Sequence, residues 1–270
     1  MNLCVPDTLT VNSSEKYTVS IRLWPGGLSF AGHIPEEKDS FFYTETTIDL
    51  AKPYIAAIKE LFFVHPFLTY SYRHTYVIYA NRQYTLVPED VFVEKEQKEL
   101  MAFVFSSPDE KTLHERLEES GCEMLYSIPS DVHDFFSRSL LRPTFTHAIV
   151  PLLIQWRKQS VINYPKQLYV ALHEDTMDAV CFDRDTMLFI NSFQFDSAND
   201  ILYYLLYIWK QIGLDQQKDQ LILFANSRVY ETLKETLQTY VLQVEYMQPQ
   251  LSERGLEVPA DITALFQCES

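Results

Sequence analysis

Apolar positions along the chain recur with two periods: alternation marks strands, and recurrence every three to four residues or so marks helices. The first clear segment, Tyr17 to Leu23 (YTVSIRL), reads as a strand. Trp24-Pro25-Gly26-Gly27 follows, then Leu28-Ser29-Phe30-Ala31-Gly32. Proline at the first central position and glycine at the second is a type II turn pattern, so the segment predicts strand, turn, strand. A third strand near Ser40 to Thr44 extends the meander. Asp49 then precedes Leu50, Ile55, Ile58, Leu61 and Phe62, which share a helical face until Pro66. A β-rich run, Thr75 to Asn81, comes next.

The second half repeats that order. Leu168 to Leu172 and Ala179 to Phe182 predict a strand pair, and Met187 to Phe193 a third strand. Ser197 with Asp200 forms a capping-box pattern before the stripe Ile201, Leu202, Leu205, Leu206, Trp209 and Ile212, with Gly213 at the helix end. Then comes Leu221 to Asn226 (LILFAN), which parallels Tyr76 to Asn81 (YVIYAN). Each follows a block of three strands and a helix, which predicts two copies of one βββαβ unit.

Between the copies, Ser107-Pro108-Asp109-Glu110 reads as a helix start that Gly121 ends, followed by a strand from Glu123 to Ile128. Ser130 opens another helix, with Asp131 and Asp134 near its positive end. Ile149, Leu152, Leu153 and Trp156 predict a long helix after Pro143, reaching a lobe boundary near Gln159 to Lys166. The tail adds a helix from about Arg228 to Tyr240, a strand near Leu242 to Tyr246 and a short helix around Ala260 to Phe266.

This element order resembles the duplicated ribonuclease-H-like halves of the actin, sugar-kinase and Hsp70 superfamily. The stretches from Tyr17 to Gly32 and from Leu168 to Ala225 are similar to a Bacteroidetes family of uncharacterised proteins with an actin-like ATPase fold. The resemblance implies an α/β protein of two tandem βββαβα-type lobes, residues 1–160 and 161–270. It also supplies a test. In active members the first hairpin of each half carries an acid and glycines with Ser or Thr, for Mg²⁺, the attacking water and phosphate. Here Ile21 to Gly27 holds no carboxylate, and Pro25 has no N–H. Leu172 to Asp178 supplies acids without glycine, and Asn226-Ser227-Arg228 stands where an adenosine-binding Gly-Gly is expected. The candidate cleft residues are Gly26, Gly27, Glu174, Asp175 and Thr176.

Composition narrows the function further. Of 270 residues only 6 are glycine, too few for the usual phosphate loops. A net charge of −15 opposes nucleic acid and anionic lipid. The four cysteines have no zinc-type spacing and read as ordinary thiols. The start has neither a basic n-region nor an apolar h-region, and no apolar stretch approaches the ~20 residues of a membrane span, which predicts a soluble cytoplasmic protein without membrane insertion. His173, Glu174, Asp175 and Asp178 are the densest potential metal group, for which a solvated acidic loop is the plainer account. The aromatic helix Ile201 to Trp209 reads either as a partner surface or, more plainly, as a helix packed on two sides. The leading expectation is a non-enzymatic actin-like protein that binds a protein partner and no cofactor. Its alternative is a divergent Mg-ATP-dependent ATPase or phosphotransferase using Asp175, with Gly26 and Gly27 near phosphate.

Overall fold

In the computed structural model, which describes residues 3–105, 110–160, 165–173 and 175–268, the first half opens as a three-strand meander. Strands β1 (Thr18–Trp24), β2 (Gly27–Ile34) and β3 (Glu37–Thr47) pair antiparallel, with Ile21 opposite Phe30 and Phe30 opposite Thr44. Helix α1 (Tyr54–Val64) leads to β4 (His74–Tyr79), which lies parallel to β1. An inserted three-stranded sheet follows: β5 (Tyr84–Pro88), α2 (Gln97–Val104), β6 (Glu110–Leu117) and β7 (Cys122–Pro129), in the order β5-β7-β6. Then come α3 (Ser130–Ser139), β8 (Thr144–His147) and α4 (Ile149–Ser160). The main sheet runs β3-β2-β1-β4-β8.

The second sheet has the same order. It is β11-β10-β9-β12-β13, built from β9 (Gln167–Leu172), β10 (Thr176–Asp183), β11 (Thr186–Gln194), β12 (Gln220–Phe224) and β13 (Gln243–Met247). Helices α5 (Ala198–Ile212), α6 (Ser227–Tyr240) and α7 (Ala260–Cys268) complete it. The chain divides into two compact units, Met1–Ala148 and Ile149–Ser270. By chain order α4 closes the first βββαβα pattern, yet it packs with α7 and β10 in the second unit, where Trp156 stacks on Tyr169 at 5.5 Å.

Each unit has its own apolar core. In the first, Val19, Ile21 and Leu23 of β1 meet Leu28, Phe30, Ile58, Phe62 and Phe136. In the second, Leu168, Val170, Ala179 and Leu223 meet Ile201, Leu205 and Trp209 of α5 and Leu233 and Leu237 of α6. The capping box of Ser197 and Asp200 is formed, and Gly213 ends α5 at φ 69°. There only glycine is free of the Cβ penalty.

Two expectations change. The stretch read as a helix ending at Gly121 is β6 over Glu110–Leu117, while Ser107, Pro108 and Asp109 lie outside the described residues. Pairing along the whole length of β7 overrides the local helix signal. Strands β5 and β8 carried too few residues to stand out. Gly26 does not adopt a positive φ, so the β1–β2 turn is not type II. No helix among the described residues is long and apolar enough to cross a membrane.

Candidate functional site

Parallel strands end on a common edge, where open α/β sheets place their ligands. The candidate residues fall on two hairpins belonging to different units. In the first unit, β1, β4 and β8 bring Trp24, Tyr79 and His147 to that edge. Gly26 and Gly27 follow Trp24, and its indole folds back over them. A Cβ on Gly27 would lie 2.5 Å from both the Thr46 carbonyl oxygen and Trp24 Cζ2, and one on Gly26 would lie 3.2 Å from Trp24 Nε1. The glycines are therefore explained by a side chain already in place. The Arg22 guanidinium, 2 % exposed, lies 5.5 Å from the Trp24 ring centroid in a cation–π arrangement. The turn carbonyls are engaged too: Ile48 N–H donates to Gly26 O at 3.0 Å and the Tyr54 hydroxyl to Gly27 O at 3.3 Å. Burial holds the Tyr54 phenol well above its ordinary range, as burial and Glu45 do for Tyr43.

At the ends of β4 and β8 lies a polar network that spacing did not reveal. His147 Nε2 is 3.0 Å from Asn81 O and 3.1 Å from Asn81 Oδ1, and Asn81 Nδ2 donates to Ser127 O at 2.9 Å. The Thr146 hydroxyl donates to Glu115 Oε2 at 2.8 Å, fastening β6 of the inserted sheet to β8. Burial pushes the Glu115 carboxyl up to about 7, although Thr146 and the His147 N–H favour its charged form. The only sequence signal is the Ala-Asn pair that follows β4 and recurs after β12.

In the second unit, the β9–β10 hairpin carries Asp175 and Thr176, while Glu174 lies outside the described residues. Asp175 is exposed, and its carbonyl accepts from Phe195 N–H at 3.0 Å. The Thr176 carbonyl accepts from His173 N–H at 2.8 Å. Asp178 is buried: Oδ2 accepts from His173 Nε2 at 2.9 Å, and Oδ1 accepts from the Ser192 hydroxyl. Its carboxylate is thus committed to a side-chain network. Among the described residues no group of three or more His, Cys, Asp or Glu is arranged to hold a metal ion. Asn226, at the end of β12, caps α6 by accepting from Val229 N–H at 2.9 Å. Helix α5 is not enclosed on all sides: Tyr203 and Tyr207 are 63 % and 49 % exposed and stack on each other, while Ile201, Leu205, Ile208 and Trp209 are buried.

A family model described as "Protein of unknown function (DUF3822)" matches residues 6–244. The chain belongs to the DUF3822 family. A crystal structure of a protein from Bacteroides thetaiotaomicron, with actin-like ATPase fold and unknown function, is similar to this DUF3822 chain at 27 % identity and a TM-score of 0.84. It covers 96 % of this chain and 99 % of its own. A type IV pilus biogenesis complex, PilM–PilN, matches at 12 % identity and a TM-score of 0.50, covering 85 % of this chain and 88 % of its own. No curated protein sequence matches. The DUF3822 chain thus has the actin-like ATPase fold, in which a fold alone does not fix an activity.

Proposed function

We propose that this DUF3822 protein is a non-enzymatic actin-like protein of the cytoplasm, its nucleotide motifs degenerate, which works by binding a protein partner and needs no cofactor. The observation that carries this reading is the Trp24 indole packed on Gly26 and Gly27. Turn amides that would cradle a phosphate lie beneath an aromatic ring, and no carboxylate among residues 21–27 could hold Mg²⁺. Two further features support it. Asp178 is engaged with His173 and Ser192, and Asn226 serves as a helix cap. The shared strand order of the two sheets and the Ala-Asn pair that follows both β4 and β12 support an internal duplication. The charge of −15 supports a protein rather than a nucleic-acid partner.

The test is phosphate release at millimolar Mg-ATP, by wild type and by Asp175→Asn. The proposal expects no release above the blank from either. Magnesium-dependent turnover that Asp175→Asn abolishes would establish the divergent phosphotransferase instead, with Asp175 as metal ligand or base and Gly26 and Gly27 near phosphate.

A further inference from the structure

A helix laid on a sheet buries one stripe and keeps the opposite one polar. Helix α5 departs from this pattern. Ile201, Leu205, Ile208 and Trp209 are buried against the sheet, yet the outer stripe carries Tyr203 and Tyr207, 63 % and 49 % exposed. Tyr203 stacks on Tyr207 at 6.0 Å and meets Tyr204 at 5.5 Å; Tyr204 stacks on Phe193 of β11 at 4.6 Å. The rings thus run unbroken from β11 to the outer face of the helix. α5 packs on β11 and α6 on β13, at opposite edges of the sheet, so the flank of α5 that bears Tyr204 is turned away from α6. Among the described residues none of the three tyrosine hydroxyls makes a hydrogen bond. Tyrosine of this kind, apolar in body and polar at its tip, is enriched at interfaces.

Charge is laid out along the same face. Asp196 and Asp200 stand at the N-terminal end, and Lys210 is the single Lys or Arg of α5. Asp200 accepts from the Ser197 hydroxyl and from the Asp196 and Ser197 N–H groups, neutral donors that hold its carboxyl below the usual range and leave its charge in place. Among the described residues neither acid nor Lys210 forms an ion pair, while Asp215, beyond the helix, is held by Lys218 at 3.7 Å. The spacing is symmetric about Leu205: Tyr203 and Tyr207 lie two residues to either side, Asp200 and Lys210 five. When two such helices pair antiparallel about a twofold axis level with Leu205, Tyr203 comes level with the second copy's Tyr207, and Asp200 with its Lys210. A parallel pair would set acid on acid. At physiological salt charges are screened beyond about 8 Å, so the groups in contact outweigh the net charge of −15.

We propose that the outer face of α5 docks a second copy of this chain, as an antiparallel twofold pair with tyrosines at its centre and Asp200 facing Lys210 at each end. The contact is one helix of 15 residues, about 22 Å long, which makes a weak, concentration-dependent dimer. The face belongs to the second unit, so the outcome for the dimer is separate from the question of a nucleotide at the β1–β2 hairpin.

The test is sedimentation equilibrium of the full chain over a micromolar concentration series at physiological salt. Wild type should show a monomer–dimer equilibrium. Tyr203→Ala with Tyr207→Ala should raise the dissociation constant at least tenfold with the circular dichroism spectrum unchanged. Lys210→Glu, which sets acid on acid at both ends, should do the same, and mixing it with Asp196→Lys should restore association, because each chain then meets its opposite charge. A wild type that stays monomeric, a dimer unaffected by the tyrosine variant, or a mixture that fails to associate would overturn the proposal. So would saturable binding of an arginine peptide, GRRGRRG, to a monomeric wild type that the tyrosine variant abolishes, since a basic segment of another protein would then be the occupant.

Discussion

Replacing Gly27 by alanine tests whether the first hairpin is shaped by its own tryptophan. Gly27 does not have a positive φ, so its backbone accepts an L-residue, and in open space the change would stabilise by about 0.4–1 kcal/mol through the unfolded chain. The added Cβ instead lies 2.5 Å from the Thr46 carbonyl oxygen, which is backbone, and 2.5 Å from Trp24 Cζ2. Ordinary contact begins near 3.4 Å, so both neighbours must yield by almost an ångström. Overpacking of this kind costs about 1–3 kcal/mol, and the net expectation after the unfolded-chain gain is a loss of about 1 kcal/mol. Trp24→Ala by itself loses the Arg22 cation–π contact and part of the ring's burial. The double variant should then be less destabilised than the sum by about 1 kcal/mol, because half of the clash has gone while Thr46 remains. Urea unfolding followed by circular dichroism reads all three, with the slope checked for constancy. A neutral or stabilised Gly27→Ala, or strict additivity with Trp24→Ala, would refute the packing and leave the turn open to a ligand.

Two further predictions concern the polar groups. Glu115 titrates near 7 when folded and near 4.5 when not, so the native state keeps a proton that the unfolded state gives up; its contribution is fully present below pH 4.5 and is lost as pH rises through about 7. The loss is about 3 kcal/mol at most, and Glu115→Gln, which still accepts from Thr146, should flatten the pH dependence of the melting midpoint across that window; an unchanged slope would contradict it. Asn226→Ala removes the α6 cap and should cost about 1 kcal/mol in a denaturant titration, and a change within error would mean that the Val229 N–H finds another acceptor.

What could be read in the sequence was what local chemistry decides. The β1–β2 hairpin, the Ser197–Asp200 box, Gly213 and the apolar stripe of α5 are set by neighbours a few residues apart, and all are found where expected. β6 was misread because its strand character comes from its pairing with β7, not from its own residues. β8 was missed because a four-residue strand between Pro143 and Ile149 has no period to detect. The candidate site divided in the same way. Missing carboxylates and glycines are visible in the text, but the return of Trp24 over its own turn, and the meeting of Asn81, Glu115 and His147, depend on tertiary geometry. The type II expectation failed for a related reason. Gly26 and Gly27 are small because Trp24 and Thr46 crowd them, and the left-handed backbone that glycine usually supplies is not used.

We infer from Trp24 over Gly26 and Gly27 that the hairpin of β1 and β2 serves no nucleotide. Its most direct test is a thermal melt of the full chain with and without millimolar Mg-ATP, Mg-ADP and Mg-GTP. A ligand present at ~100 times its dissociation constant stabilises the native state by about 2.7 kcal/mol, enough to raise the midpoint by several degrees. Superimposable melts with all three nucleotides are expected. A magnesium-dependent rise of several degrees with any of them would contradict it.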